Sequence, residues 1–442
     1  LSRLDLYLPR FASLLAVAVA LAVSPSQALI IKTWNGAGTP ALINTTAPAD
    51  DPGFHNLPNA TANGLNKKGI YLGDNLFLTV VHDDAAVNTI QIGNGVFPVI
   101  PGSAVTLTNP TSFGGSRVNS DGSLTVNSDL RLYRIGVDGT TGLTPEELDP
   151  AIRSISLATR LPNTSTEQLT MVGKGLIRTV NTANTSTGQF HYNSGGAVLT
   201  NPADWPTSAY RGFGFGDSAT QPRPWQWGTN VRTTASPNGI VKVGQNVLME
   251  GGFLDTIGFV VRFDEAGLAD EAQGAAGDSG GPVFWKDGDE WVLAGLMHGV
   301  YFGNGQPSVL GMFGSFTGIS DLSHPTYRNQ IEFQRRTMGD VNLDGIVSGS
   351  IANGVATGDL AAMVSNWNSV STASGYETWM KGDLNLDGRV DLADFVMLRD
   401  ALGGSISSSS FAQLVAAATI PEPSTLGLAV VAGLASIRRR RR

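Results

Sequence analysis

From Leu29 to about Thr337, apolar residues fall in short alternating or continuous runs separated by glycine, asparagine and proline. "GIYLGDNLFLTVVH", "NTIQIGNGVFPVIPG", "DLRLYRIG", "EQLTMVGKGLIRTV" and "NVLMEGGFLDTIGFVVRF" are examples. Runs of this length between turn residues predict the strands of a sandwich or barrel. In "PVFWKDGDEWVLAGL", Asp287-Gly288 sits between two such runs and predicts a tight hairpin. Long helical periodicity is missing, so residues 29–337 are predicted to be all-β.

The pattern changes over residues 338–402. Two "GDxNxDG" elements begin at Gly339 and Gly382, and each leads into a helical-looking segment, "GDLAAMVSNWN" and "LADFVMLRDAL". Beyond Leu402, "GGSISSSS" has the composition of a flexible linker, predicted over 403–420. Residues 421–442 form a separate tail.

The first 28 residues carry an export pattern. Arg3 and Arg10 precede the apolar run Phe11–Val23, and Ser26 and Ala28 supply a small-x-small cleavage site. The run is short of the roughly 20 residues that a membrane helix needs, which favours a removable leader over an anchor. Cleavage after Ala28 leaves Leu29 as the mature N-terminus. The 54 glycines fit many turns between short strands. A net charge of -8 argues against nucleic acid as the main partner, because phosphate binding needs a basic face. The chain has no cysteine, so neither disulfides nor thiolate-held zinc contribute, and stability must come from a large core with the help of bound metal.

Acyl transfer by serine needs a base, a group that orients the base, and backbone donors for the oxyanion. "GAAGDSGGPVF" offers Ser279, although glycine, aspartate and serine are also ordinary turn residues. Of the five histidines, His82 alone follows a convincing apolar strand, "LFLTVVHDD". "NSDLRLYRI" places Asp129 at the head of another.

In these three segments, residues 29–337 resemble the trypsin/chymotrypsin family of serine proteases. "LTVVH" is similar to the family's histidine motif, "SDLRLYRI" to its aspartate motif, and "GDSGGPV" to its nucleophile motif. The order His, Asp, Ser is the family's order, with a longer gap than usual between Asp129 and Ser279. The resemblance implies a double antiparallel β-barrel with the site in the crevice between the barrels. It implies His82 as general base and acid, Asp129 as its orienting carboxylate and Ser279 as nucleophile, with no cofactor for catalysis. The N–H groups of Gly277 and Ser279 would form the oxyanion hole. Gln273 occupies the position at the base of the family's primary specificity pocket, which disfavours a preference for lysine or arginine. Met297, His298 and Gly299 would lie on the substrate-pairing strand. There His298 either lines the pocket and favours acidic side chains, or packs elsewhere. Asp83 and Ala275 stand where the family has cysteines. In activated members of the family a new N-terminal amine pairs with the carboxylate before the serine, here Asp278, and no activation motif precedes "LIIKTWNG".

The second repeat sets Asp383, Asn385, Asp387, Asp391 and Asp394 at loop positions one, three, five, nine and twelve. The Arg389 carbonyl falls at seven and Gly388 at the sharp turn, an oxygen-donor pattern suited to calcium. The first repeat supplies Asp340, Asn342 and Asp344, and an insertion then carries Asp359 to position twelve. Together the repeats resemble a type I dockerin, a small α-helical calcium-binding domain that docks to a cohesin-type receptor. The tail, with Pro421-Glu422-Pro423, an apolar run from Ser424 to Ile437 and five arginines, resembles the PEP–C-terminal sorting signal of Gram-negative bacteria. A membrane processing peptidase would act on that signal; a plain tail anchor is the alternative. These readings predict an exported serine endopeptidase acting on polypeptides, held at the cell surface or matrix by its docking module and tail. The alternative is an inactive protease-like scaffold that serves as a calcium-dependent surface binding protein.

Overall fold

A computed structural model describes residues 29–33, 43–59, 68–83, 88–111, 116–117, 125–164, 166–179, 181–216, 224–234, 247–251, 254–303, 306–307, 311–373 and 375–419. The leader and the sorting tail lie outside these residues. The chain is mostly β-strand with few helices.

The first sheet runs in the order Ile70–Gly73, Leu76–Val80, Asn127–Arg134 and Val105–Thr108. Gly73 pairs with Leu76, which leaves Asp74 and Asn75 as the turn, both with φ near +55 to +60 (54° and 59°). Two consecutive positive φ values match the twist of a two-residue hairpin, and Asp and Asn tolerate them best after glycine. All five residues of Leu76–Val80 are buried, because the strand is covered on both faces. Leu76, Leu78 and Val80 enter the main core with Leu130 and Leu132, while Phe77 points the other way into Tyr71, Ile90 and Phe97. A second hairpin, Thr89–Ile92 with Gly95–Pro98, joins through the bridges Pro58–Ile92 and Val99–Ile135.

A larger sheet follows the order Gln226–Val231, Gln168–Gly173, Pro282–Asp287, Glu290–Tyr301, Phe316–Ser320 and Leu254–Arg262. Its first strand leads back to its sixth: Arg232 bridges Val261, and the Thr233 N–H donates to the Val260 carbonyl at 3.1 Å. Leu169, Met171, Val283, Trp285, Ala294 and Met297 fill the interior of this half. The predicted hairpin is present one residue further along, with Gly288-Asp289 in the turn and Asp287 paired to Glu290.

Helix Pro325–Arg335 is an element that the strand pattern of residues 29–337 did not announce. His324 caps it, Pro325 occupies the first helical position, and Tyr327, Gln330, Ile331 and Phe333 form its buried face. The helix ties the two sheets together. The Tyr327 hydroxyl donates to Asn109 Oδ1 and accepts the Ile257 N–H at 3.0 Å, while Gln330 accepts the Thr108 N–H at 2.8 Å.

Helices Gly358–Ser365, Tyr376–Trp379 and Leu392–Ala401 surround a third core of Val341, Leu360, Met363, Trp379, Leu384 and Phe395. The predicted linker is corrected. Ser408–Thr419 is a helix whose Phe411 and Leu414 are buried in this core, with the Phe411 ring stacked on Phe395. Among the described residues, no helix is long and apolar enough to cross a membrane.

Candidate active site

The pairing of Leu76–Val80 with Asn127–Arg134 brings Val81 opposite Asp129 and His82 beside its carboxylate. Val80 faces Leu130, and one step further the Val81 N–H donates to the Asp129 carbonyl at 3.0 Å. The His82 N–H then donates to Asp129 Oδ1 at 2.8 Å, and His82 Nδ1 meets Asp129 Oδ2. Asp129 is fully buried. Its own N–H donates to Thr256 Oγ1 at 2.8 Å, which fixes the carboxylate against the second sheet. Sequence reasoning did not find Thr256, since a threonine in an apolar strand carries no distinguishing pattern.

Ser279 stands in the turn before strand Pro282–Asp287, and its Oγ lies 2.8 Å from His82 Nε2. Gly277 and Gly280 adopt φ of 91° and 83°, which a side chain would resist. Gly281 is needed for close approach, because a Cβ there would come within 2.3 Å of the Val172 carbonyl oxygen. Inside the turn, the N–H groups of Asp278, Gly280 and Gly281 donate to the carbonyls of Ala275, Met297 and Asp278. Those of Gly277 and Ser279 donate to no acceptor among the described residues. Three segments distant in sequence thus supply a hydroxyl, an imidazole and a carboxylate in one hydrogen-bonded line, beside two free backbone donors.

Asp278 is buried, and its carboxylate accepts the N–H groups of Gly175 and Ala275. Burial pushes its carboxyl up to about 7, against the lowering effect of those hydrogen bonds and of Lys68. Lys68 itself pairs with Asp83.

The expected substrate residues fall out differently. Gln273 is buried in strand Ala272–Gln273, paired with Ile30–Ile31, and among the described residues neither amide atom of its side chain has a hydrogen-bond partner. The Met297 side chain is part of the second core. Gly299 stays partly exposed. His298 does not line a pocket: its side chain is fully buried, with Nε2 3.0 Å from Asp129 Oδ2. The cause is a register shift. Met297 pairs with Ile319 and Gly299 with Gly318, so His298 is the extra residue of a β-bulge, a feature that re-aims side chains.

Burial alone pushes the Asp129 carboxyl up, but contacts with His298 and then His82 outweigh it and hold it below the ordinary carboxylate range. Among the described residues, His82, Asp129 and His298 are also the one group of three that could approach a metal ion.

The two predicted calcium loops share one hydrogen-bond pattern. Asp383 accepts the N–H groups of Asp387 and Gly388 at 3.0 and 2.9 Å, and Asp340 those of Asp344 and Gly345 at 3.1 and 2.9 Å. Asp394 accepts from Leu384, Asn385 and Asp391, as Asp359 does from Val341, Asn342 and Ser348. Ser348 therefore takes the place of Asp391. Asp394 follows Asp391 by 3 residues, whereas Asp359 follows Ser348 by 11. The insertion begins after Ser348 and forms the small hairpin Ile351–Ala352 with Val355–Ala356. Asn385 donates to Asp387 at 3.1 Å and Asn342 to Asp344 at 2.8 Å. Arg389 donates its N–H to Asp387 Oδ1, which leaves its carbonyl at position seven. Burial, followed by the charges of Asp359 and Asp344, pushes the Asp340 carboxyl up. Burial and the Asp383 charge do the same for Asp394. In each loop the carboxylates thus accept backbone N–H groups, with Asp340, Asp359, Asp383 and Asp394 buried and Asp344 and Asp387 exposed.

No family model matches the sequence, and no curated protein matches it. Among solved structures, the chain is similar to neuropsin, a serine protease of the limbic system of mouse brain, at 15% identity. That likeness covers 60% of this chain and 86% of that one, with a TM-score of 0.30. Rv3671c from M. tuberculosis is 12% identical over 70% of this chain and 100% of that one, with a TM-score of 0.29. The NS6 protease of murine norovirus 1 is 12% identical over 64% and 97%, with a TM-score of 0.27. Likenesses at this level carry no argument about function, which rests on the geometry of the site.

Proposed function

We propose that the protein is an exported serine endopeptidase that cleaves peptide bonds through Ser279, His82 and Asp129. The observation that carries this reading is the line from Ser279 Oγ to His82 Nε2, and from His82 Nδ1 to a buried Asp129. The larger sheet, whose first strand returns to its sixth, and the line of groups spanning both sheets support a double-barrel arrangement. His82 Nε2 takes the proton as Ser279 Oγ attacks the substrate carbonyl carbon. The negative oxygen that forms is met by the free N–H groups of Gly277 and Ser279, whose orientation precedes the reaction. Asp129 holds the Nδ1–H tautomer and stabilises the imidazolium. His82 then protonates the leaving amine, and an acyl-enzyme remains on Ser279. Water, deprotonated by His82, releases the acyl group and restores the hydroxyl.

Residues 338–402, with helix Ser408–Thr419 packed on them, would serve as a calcium-dependent docking module for a cohesin-type receptor. Asp383, Asn385, Asp387, Asp391, Asp394 and the Arg389 carbonyl would hold one ion. Asp340, Asn342, Asp344 and Asp359 would hold a second. Calcium, when bound, supplies the positive charge that these carboxylates lack. The leader directs export, and the tail would be read by a sorting peptidase at the cell envelope.

A fluorophosphonate probe should label the purified protein at Ser279, and denatured protein substrates should be hydrolysed. Both should be lost in Ser279→Ala. Absence of labelling in folded protein would reject the enzyme in favour of a binding scaffold.

A further inference from the structure

His298 faces away from any substrate and toward the carboxylate that orients the base. Its ring is fully buried, its Nε2 is 3.0 Å from the same Asp129 oxygen that His82 Nδ1 contacts, and its centroid is 5.5 Å from that of His82 at an interplanar angle of 64°. Among the described residues neither ring nitrogen makes a well-aligned hydrogen bond. As filler for an apolar gap, an imidazole in this position would carry an uncompensated desolvation cost that leucine or methionine avoids. The one group that compensates it is the Asp129 carboxylate. A nitrogen 3.0 Å from a buried carboxylate oxygen must carry the proton, since a lone pair there would be repelled. Nε2 therefore carries a proton, and that N–H is attracted to Oδ2 even off the ideal line.

We infer that His298 is a positioning residue for the catalytic line, one that acts through Asp129 by sharing its Oδ2 with His82. Asp129 Oδ1 is occupied by the His82 N–H, so the two imidazoles divide the other oxygen between them. The consequences are geometric and electrostatic. The carboxylate plane is held from two sides, and part of its charge is drawn toward His298, so His82 experiences less of it. Removing His298 leaves a buried carboxylate with one imidazole donor instead of two. His82 then interacts with a fuller negative charge, which favours its protonated form and leaves a smaller fraction of it as free base at neutral pH. The β-bulge at Met297–Gly299 is the backbone device that turns this side chain inward.

The inference rests on the proposed peptidase activity, and two readouts keep it separable from that reading. In enzyme titrated by active-site labelling, His298→Phe should lower kcat about 10-fold with KM within about 2-fold, and should move the acid limb of kcat/KM upward by about half to one pH unit. His298→Gln, whose amide N–H reaches toward the place of Nε2, should recover most of both effects. A packing role alone would reduce the fraction of labelled enzyme and the melting temperature without moving the acid limb. The second readout needs no turnover: the proton resonance of the His82 Nδ1–H should shift in His298→Phe and return toward the wild-type position in His298→Gln. If either readout is unmoved in His298→Phe, or if the Gln variant is no nearer wild type than the Phe variant, His298 does not position Asp129. If the wild type fails to label, the peptidase reading falls and the resonance alone decides on His298.

Discussion

Leu29 and Asp278 meet at Gly173. A Cβ placed on that glycine would lie 2.9 Å from Leu29 Cγ and 2.3 Å from Asp278 Oδ1. The carboxylate is therefore beside the first residue that leader removal after Ala28 would expose, and among the described residues it is bonded by two backbone N–H groups and by no cation.

This arrangement predicts a pH dependence of stability. A carboxyl raised to about 7 in the folded state is favoured when neutral. Its contribution is fully present below the unfolded value near 4 and is lost as pH rises through about 7. Glu271, raised to about 7 first by burial, acts with the same sign. A chain with residues ahead of Leu29 should therefore lose melting temperature between pH 5 and 8, and Asp278→Asn should remove part of that slope. A chain beginning at Leu29 offers an α-amine to Asp278 and should lose less. Thermal melts of the two chains across this range make the comparison. Equal slopes would exclude the amine as the partner of Asp278.

Asp129 allows a sharper test of the catalytic line. Asp129→Asn keeps the shape of the side chain but replaces an acceptor with an amide that can present a donor to His82 Nδ1, and so stabilises the wrong tautomer. The expected loss in kcat is on the order of 10⁴-fold, with Ser279 still present and the fold retained by circular dichroism. A loss below about 10-fold would show that Asp129 does not orient the base.

The strands around the site were legible because both faces of Leu76–Val80 and Leu254–Arg262 are buried, which writes the core directly into the sequence. The three motifs then located His82, Asp129 and Ser279. Other features depended on information that a linear pattern does not hold. For His298 the sequence left pocket and packing both open, because the bulge at Met297–Gly299 that turns its side chain inward has no linear signature. Helix Pro325–Arg335 was missed because its buried face includes the polar Gln330, whose partner is the distant Thr108. The position of the insertion in the first calcium loop became clear once Ser348 was seen to donate to Asp359 as Asp391 does to Asp394.

Asp387 separates calcium binding from loop folding. It is exposed and bonds only within its own loop, accepting from Asn385 and Arg389 and donating its N–H to Asp383 and Asn385. Asp387→Ala should leave the melting temperature in a chelator nearly unchanged and remove most of the rise produced by added calcium. Asp394→Ala should lower stability in both conditions, because its carboxylate also holds three backbone N–H groups. Calorimetric titration should show reduced calcium binding for both. An undiminished calcium response in Asp387→Ala would remove the second loop from the calcium assignment.

Glycines of the second sheet give a graded test of how its strands approach. A Cβ on Gly295 would fall 1.7 Å from the Ser320 carbonyl oxygen, a backbone atom that cannot move without disturbing strand Phe316–Ser320. Gly295→Ala should destabilise the protein by more than about 3 kcal/mol and reduce soluble yield, consistent with severe overpacking in a core. Gly139 is the control: a Cβ there meets nothing within 4 Å, and its φ is not in the left-handed region. Gly139→Ala should be neutral or stabilising by a few tenths of a kcal/mol to about 1, through the reduced entropy of the unfolded chain. Urea denaturation of the two variants reads the difference directly. If Gly295→Ala is as stable as Gly139→Ala, strands Glu290–Tyr301 and Phe316–Ser320 do not approach as described, and the bulge that aims His298 at Asp129 loses its structural basis.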